Sequence, residues 1–361
     1  MTQTTDTIMA TLSTIALPGG GDLASRDMIR ALRIEAGRVT FVIEADSPEQ
    51  AAGLEAQRQA AEAAVAALDG IESVSAILTA HTAPAKQAGG QGEPPQLQIG
   101  QHGKKQDGPQ PIPGVRSVVA IGSGKGGVGK STLSSNLAVA LARQGRKVGL
   151  LDADIFGPSQ PRMMGTMQKP DSTDGKTMDP VMAHGVKIIS VGLLMDPEQA
   201  VVWRGPMLTG TLQQLMFKVN WGDLDVLIVD LPPGTGDVQL SLSQNAQLKG
   251  ALIVSTPQDV ALLDAIKAID MFNKVNVPIL GLIENMSMYV CPKCGNEDHI
   301  FGKGGVRDEA KARGLPFLGE IPLDVDVRLA GDAGTPIALG DGPVAKAYAD
   351  LAANMVSSGI A

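Results

Sequence analysis

Aromatic residues make up 3% of the 361 residues, which removes most of the Phe and Tyr platforms that single-stranded nucleic-acid binders stack bases on. Positive charge is short as well. Lys and Arg number 30 against 38 Asp and Glu, a formal charge of −8, so the chain has no overall attraction for a phosphate backbone and no nucleic-acid partner is expected. No apolar run approaches the roughly 20 residues of a membrane span, and residues 1–10 lack the basic start and apolar stretch of a secretory signal. A cytoplasmic protein with no membrane partner is the expectation. Cysteine occurs twice, at Cys291 and Cys294. That excludes a disulfide framework and leaves one Cys-x-x-Cys pair for chemistry.

Residues 81–114 are rich in Gly, Pro, Gln and Lys with almost nothing apolar to bury, and read as a flexible linker. Ahead of it, residues 38–45 alternate apolar and polar side chains as a strand does, residues 48–68 form an Ala-rich helical stretch, and residues 74–79 read as another strand. Residues 1–80 are therefore expected to be a small α+β domain. Behind the linker, apolar runs at 115–121, 147–151, 187–191, 224–231, 251–255 and 279–283 fit strands buried on both faces, with helices at 130–144 and 260–274. The fold expected for residues 115–361 is α/β, a mostly parallel sheet flanked by helices.

Gly124-Lys125-Gly126-Gly127-Val128-Gly129-Lys130-Ser131, followed by Thr132, fits the phosphate-loop pattern G-x-x-x-x-G-K-[ST], and it lies between an expected strand and an expected helix. Glycines let the backbone wrap phosphate oxygens, the helix N-terminus aims N–H groups at them, and Lys130 adds a point charge. Ser131 suits magnesium, so ATP and Mg2+ are the expected cofactors. Asp152 and Asp154 stand at the C-terminal end of the next strand, the edge where open α/β sheets bind ligands. Asp230 closes the apolar run 226–229 as a Walker B carboxylate does. The stretch 231–237, Leu-Pro-Pro-Gly-Thr-Gly-Asp, reads as a loop able to shift when the γ-phosphate leaves.

Lys125, second in the loop, makes it resemble the deviant Walker A of the family that contains nitrogenase iron protein and the division regulator MinD, which act as nucleotide-sandwich dimers. The resemblance implies a slowly hydrolysing homodimer in which Lys125 reaches the phosphates held by the partner subunit. It also implies that Asp152 helps organise magnesium and that Asp154 positions the attacking water. Val202-Trp203-Arg204-Gly205-Pro206-Met207, the 230–237 stretch, Ser255-Thr256-Pro257-Gln258-Asp259-Val260 and Ile283-Glu284-Asn285-Met286-Ser287 narrow the resemblance to the Mrp/ApbC-type iron-sulfur cluster carriers, over nearly all of residues 115–361. That implies an adenine contact for Asn285, and an ATPase that takes clusters from scaffold proteins and passes them to apo-proteins. Residues 38–43, the helix after Pro48 and residues 70–74 resemble the small MIP18-like domain often fused ahead of these carriers. Residues 45–49, Ala-Asp-Ser-Pro-Glu, lack the cysteine often found there, so a thiol role for this domain is excluded.

Cys291-Pro292-Lys293-Cys294-Gly295 is a tight loop from which both thiols can face one metal. Two thiolates are half of the set that tetrahedral zinc or a [4Fe-4S] cluster takes, and a two-fold dimer would supply the other half. By spacing, structural zinc with or without His299, a redox dithiol and an inert loop all stay open. The resemblance selects a [4Fe-4S] cluster held by Cys291 and Cys294 of two chains. The alternative is a spatial-organisation ATPase like MinD or ParA with a structural zinc knuckle. Residues 344–361, with Lys346 as their one lysine, lack the basic amphipathic face of a membrane-binding helix.

Overall fold

The computed structural model describes residues 5–18, 20–35, 38–45, 53–71, 73–80, 108–195 and 205–361. The chain divides into two compact units, residues 1–90 and 91–361. In the first, α1 (Thr5–Leu12) precedes β1 (Ile29–Glu35) and β2 (Arg38–Ala45), followed by α2 (Glu55–Ala66) and β3 (Ser73–Ala80). β2 is central, antiparallel to β1 and parallel to β3. Val39, Phe41 and Ile43 alternate onto one face and bury against Ile8 and Leu12 of α1 and Ala61 and Val65 of α2. The part of the expected helix ahead of residue 53 lies outside the described residues. β1 goes unread in the sequence because Arg30, Arg33 and Glu35 interrupt its apolar pattern.

The second unit opens on β4 (Val115–Gly122), α3 (Lys130–Arg143) and β5 (Val148–Asp152). β6 (Val181–Ala183), β7 (Val186–Ser190), α4 (Gly205–Phe217) and β8 (Leu224–Asp230) follow. Then come α5 (Asp237–Asn245), β9 (Gly250–Ser255), α6 (Asp259–Lys274), β10 (Ile279–Val290) and β11 (Glu297–Asp298). The unit ends with α7 (Gly305–Arg313), β12 (Phe317–Leu323), α8 (Val325–Asp332) and α9 (Pro343–Ser357). The sheet order is β11-β10-β9-β4-β8-β5-β7-β6, with β12 on β10. All neighbours run parallel except β6 and β11. This is the mostly parallel, helix-flanked sheet that the apolar runs imply.

Alternate residues of the central strands serve two cores. Val118, Ala120, Leu227 and Val229 face Trp221, Leu215 and Phe272, while Val119, Ile121, Val226 and Ile228 face Leu133, Leu137 and Tyr348. Parallel strands put their C-terminal ends on one edge, so Gly122, Asp152 and Asp230 arrive together.

One boundary needs correcting. Of the linker expected over 81–114, residues 81–107 lie outside the described residues, but its tail is docked. Gln110 N donates to Asn245 O at 2.9 Å, Gln247 N donates to Gln110 O at 2.8 Å, and Ile112 is buried in the same core as Trp221. Val202, Trp203 and Arg204 also lie outside the described residues.

Candidate functional site

The phosphate loop runs from the end of β4 to the start of α3. A Cβ at Gly124 would sit 2.0 Å from the main chain of Asp264 in α6, and one at Gly129 would sit 2.2 Å from Asn285 Nδ2. Gly129 also has φ 81, a left-handed conformation immediately ahead of Lys130. Close approach fixes the first glycine, and approach plus backbone conformation fixes the second. Gly126 and Gly127 are exposed and Val128 is buried.

Lys130 and Asp230 form a buried pair, 6% and 0% exposed, with Nζ 2.6 Å from Oδ1. Lys130 Nζ also donates to Ser131 Oγ at 3.0 Å, and Ser134 Oγ donates to Asp230 Oδ1 at 2.8 Å. Gln160 closes the other side, its Nε2 donating to Asp230 Oδ2 at 2.7 Å and to Ser131 O at 3.0 Å. Asp152 stands opposite Asp230 across the β5/β8 pairing. Its Oδ2 accepts from Ser159 N, Gln160 N and Ser190 Oγ at 3.0, 3.1 and 3.1 Å, and Oδ1 accepts from Asp154 N at 3.2 Å. Burial, then the Asp230 carboxylate, pushes Asp152 up to about 7. Asp154 is half-buried and accepts from Gly157 N at 3.2 Å; burial raises it too. The hydroxyl and carboxylate oxygens of Ser131, Asp230 and Asp152 are the hard donors that suit Mg2+.

Lys125 is half-buried, and no ion pair involves its ammonium among the described residues. Beside the loop, Gly129, Thr132, Asn285, Met286, Pro322 and Arg328 line a pocket of about 380 Å3. Asn285 holds the loop to it, Nδ2 donating to Val128 O at 2.8 Å. Met286 has φ 56, and the pairing of β10 with β12 slips between Asn285 and Tyr289. This bulge puts the Met286 side chain next to Gly129, on the same side as Asn285.

β10 continues past the bulge into the cysteine loop. β11 folds back antiparallel, Val290 opposite Glu297, and the turn is closed by Cys291 N donating to Asn296 O at 2.9 Å and Gly295 N to Cys291 O at 2.8 Å. Cys291 is partly exposed and Cys294 exposed. Hydrogen bonds from the Lys293 backbone, then from Cys294, hold the Cys291 thiol below its ordinary value, which favours thiolate. His299 is tied to the backbone through one ring nitrogen, which leaves the lone pair of the other available. Its Nδ1 lies 3.0 Å from Ser287 O, and a carbonyl only accepts, so Nδ1 carries the proton. Among the described residues no three His, Cys, Asp or Glu side chains converge to hold a metal.

Residues 114–356 match the family model described as NUBPL iron-transfer P-loop NTPase, and residues 5–77 match the model of the iron-sulfur cluster assembly protein. The chain belongs to the NUBPL iron-transfer P-loop NTPase family. An iron-sulfur cluster carrier protein of Synechocystis sp. is 42% identical over 353 residues, 96% of this chain and 94% of its own length. The mitochondrial iron-sulfur protein required for NADH dehydrogenase of Arabidopsis thaliana is 54% identical over 246 residues, 67% of this chain and 79% of its own length. Among solved structures, a nucleotide-binding protein from Archaeoglobus fulgidus in complex with ADP is 38% identical, with a TM-score of 0.57 over 64% of this chain and 91% of that one.

In this family member the fold thus gathers Lys130, Ser131, Asp152, Asp154 and Asp230 at one sheet edge and sets Asn285 against the loop, while Cys291 and Cys294 sit in the turn just past the end of β10. Sequence reasoning misses Gln160, Ser134 and Ser190, which complete the carboxylate network. It also misses Glu284, whose buried carboxylate accepts from Gly304 N and Val306 N at 3.3 and 2.9 Å and so pins the start of α7 to β10. Ser134, one turn beyond Lys130 on the same helix face, is the one of these with a signal in its spacing.

Proposed function

We propose that the chain is an ATP-hydrolysing carrier that works as a cytoplasmic homodimer. In this reading it receives a [4Fe-4S] cluster on Cys291 and Cys294 of both subunits and passes it to apo-proteins. The observation that carries the reading is the continuity of β10: Asn285 holds the phosphate loop, and Cys291 follows the end of the same strand. At about 3.3 Å per residue the two points are at most on the order of 20 Å apart, joined by one strand with the Met286 bulge between them.

The pieces take named roles. Lys130 would leave Asp230 for the outer phosphates, and Ser131 and Asp230 would hold Mg2+, which would neutralise phosphate charge. Asp154 orients the attacking water, Lys125 reaches the phosphates bound by the partner subunit, and Asn285 faces the base. The two thiolates of one chain are half a ligand set, which supports sharing across a two-fold axis. The spatial-organisation alternative loses support from α9, which buries Tyr348, Leu351 and Met355 in the core rather than offering them to a membrane.

Anaerobic reconstitution followed by transfer to an apo-acceptor tests the reading. Iron and acid-labile sulfide bound in equal amounts, with transfer that depends on MgATP, is the expected result. Zinc bound without sulfide would favour the structural knuckle.

A further inference from the structure

Gln239 sits in the first turn of α5 with its side chain turned back toward the loop that follows Asp230, the direction helical side chains take. It is 1% exposed. Its Nε2 donates to Pro232 O at 2.8 Å and to Gly234 O at 3.0 Å. Gly234 N in turn donates to Ser123 O at 2.9 Å, at the start of the phosphate loop, and Pro233 borders Gly126. The amide is thus a side-chain tie between α5 and the segment that borders the phosphate loop. Its other half is unused: Oε1 is buried and has no hydrogen-bond partner. A buried acceptor with no protein donor is costly to keep. Oε1 lies over Gly236 of the same glycine-rich segment, 3.7 Å from where a Cβ would be.

We infer that Gln239 is a positioning residue for hydrolysis, a two-position latch whose Nε2 holds Pro232 and Gly234 in one state of the loop and whose Oε1 accepts from the loop's own N–H groups in the other. This rests on the hydrolytic reading above. Gln239 touches no nucleotide and acts through the segment between Asp230 and Asp237, setting where its backbone stands when ATP is in place. The orphaned oxygen marks a group with two working arrangements, of which this structure displays one.

Hydrogen exchange over residues 231–237 of the full chain, without nucleotide, with MgADP and with a magnesium-bound non-hydrolysable ATP analogue, reads the latch without requiring turnover. In the parent the segment should exchange differently with MgADP and with the analogue. Gln239→Met, which keeps the length without polar atoms, and Gln239→Ala should both erase that difference. Both should lower kcat about tenfold while leaving the Kd for MgADP and the melting temperature near the parent's. Parent-like exchange and kcat in either variant, or no nucleotide-dependent difference in the parent, would overturn the inference. So would loss of the fold in both variants, which would make Gln239 a structural tie. A parent that shows the exchange difference yet hydrolyses no ATP would sink the hydrolytic reading and with it the positioning role, whereas a hydrolysing parent with parent-like variants would sink the latch and leave the hydrolytic reading standing.

Discussion

Lys130 Nζ lies 2.6 Å from Asp230 Oδ1, and the pair is buried at the junction of α3 and β8. The lysine that would serve the phosphates therefore neutralises a buried carboxylate in their absence. Removing one partner of such a pair costs about 3–5 kcal/mol, because the other charge stays behind unpaired. Lys130→Ala should lose nucleotide binding and also melt well below the parent. Asp154→Asn should bind nucleotide normally and melt like the parent, since the isosteric amide oxygen still accepts from the Gly157 and Phe156 backbone, yet turn over roughly a hundredfold more slowly. Titration with a fluorescent ATP analogue, a phosphate-release assay and a melting curve separate the two. Parent-rate hydrolysis by Asp154→Asn would remove that residue from the water-positioning role.

Asp152 predicts a pH dependence. The folded protein holds its proton up to about 7 against an ordinary value of 3.8. That contribution to stability is fully present below pH 3.8 and is lost as pH rises through 7, by about 1.4 kcal/mol for each pH unit separating the two values at most. Asp154 and Glu284 are raised by burial as well, but both remain in an Asp152→Asn variant. Comparing urea unfolding of nucleotide-free parent and variant between pH 4 and 7 isolates Asp152. The parent should lose stability relative to the variant across that window, and parallel curves would mean that Asp152 is charged throughout.

The docked tail of the linker sharpens where the chain can be cut. Deleting residues 1–107 should leave a folded, nucleotide-binding unit. Deleting residues 1–114 removes the Gln110 hydrogen bonds and Ile112, and burial of one such side chain stabilises by about 1.5–3 kcal/mol. The shorter product should melt lower while starting at the same strand. Equal melting temperatures would show that residues 108–114 contribute nothing, and insolubility of both would mean that the two units share a core.

What the sequence makes legible follows from how each residue is buried. The central strands announce themselves because both faces are covered and their runs are continuously apolar. β10 is readable only to Ile283, since Glu284, Asn285 and Ser287 are buried polar residues whose partners, Gly304, Val306, Val128 and Ile321, come from other elements. β12 hides behind Gly319, Glu320 and Pro322 in seven residues. The phosphate loop is legible because its glycines answer to local backbone geometry. Gln160 and Gln239 are not, because their value lies in which main-chain and carboxylate oxygens the fold brings within 3 Å of them.

The cysteine loop gives the last prediction. Cys291 and Cys294 lie in a turn closed by backbone bonds to Asn296 O and Cys291 O, which remain when the Lys293 and Cys294 bonds to the Cys291 thiol are lost. Cys291→Ala and Cys294→Ala should therefore keep the turn, the fold and MgATP binding at Lys130. One chain offers two thiolates and, among the described residues, no third ligand converges on them. A [4Fe-4S] cluster should then appear only in the dimer, at about four irons per two chains, and each variant should lose both the chromophore and the cluster-dependent dimer. Iron, zinc and sulfide per chain, with mass measured by light scattering under nitrogen, decide it. A full cluster on a monomer, or one that survives both substitutions, would place the metal elsewhere and leave this hairpin without a cargo.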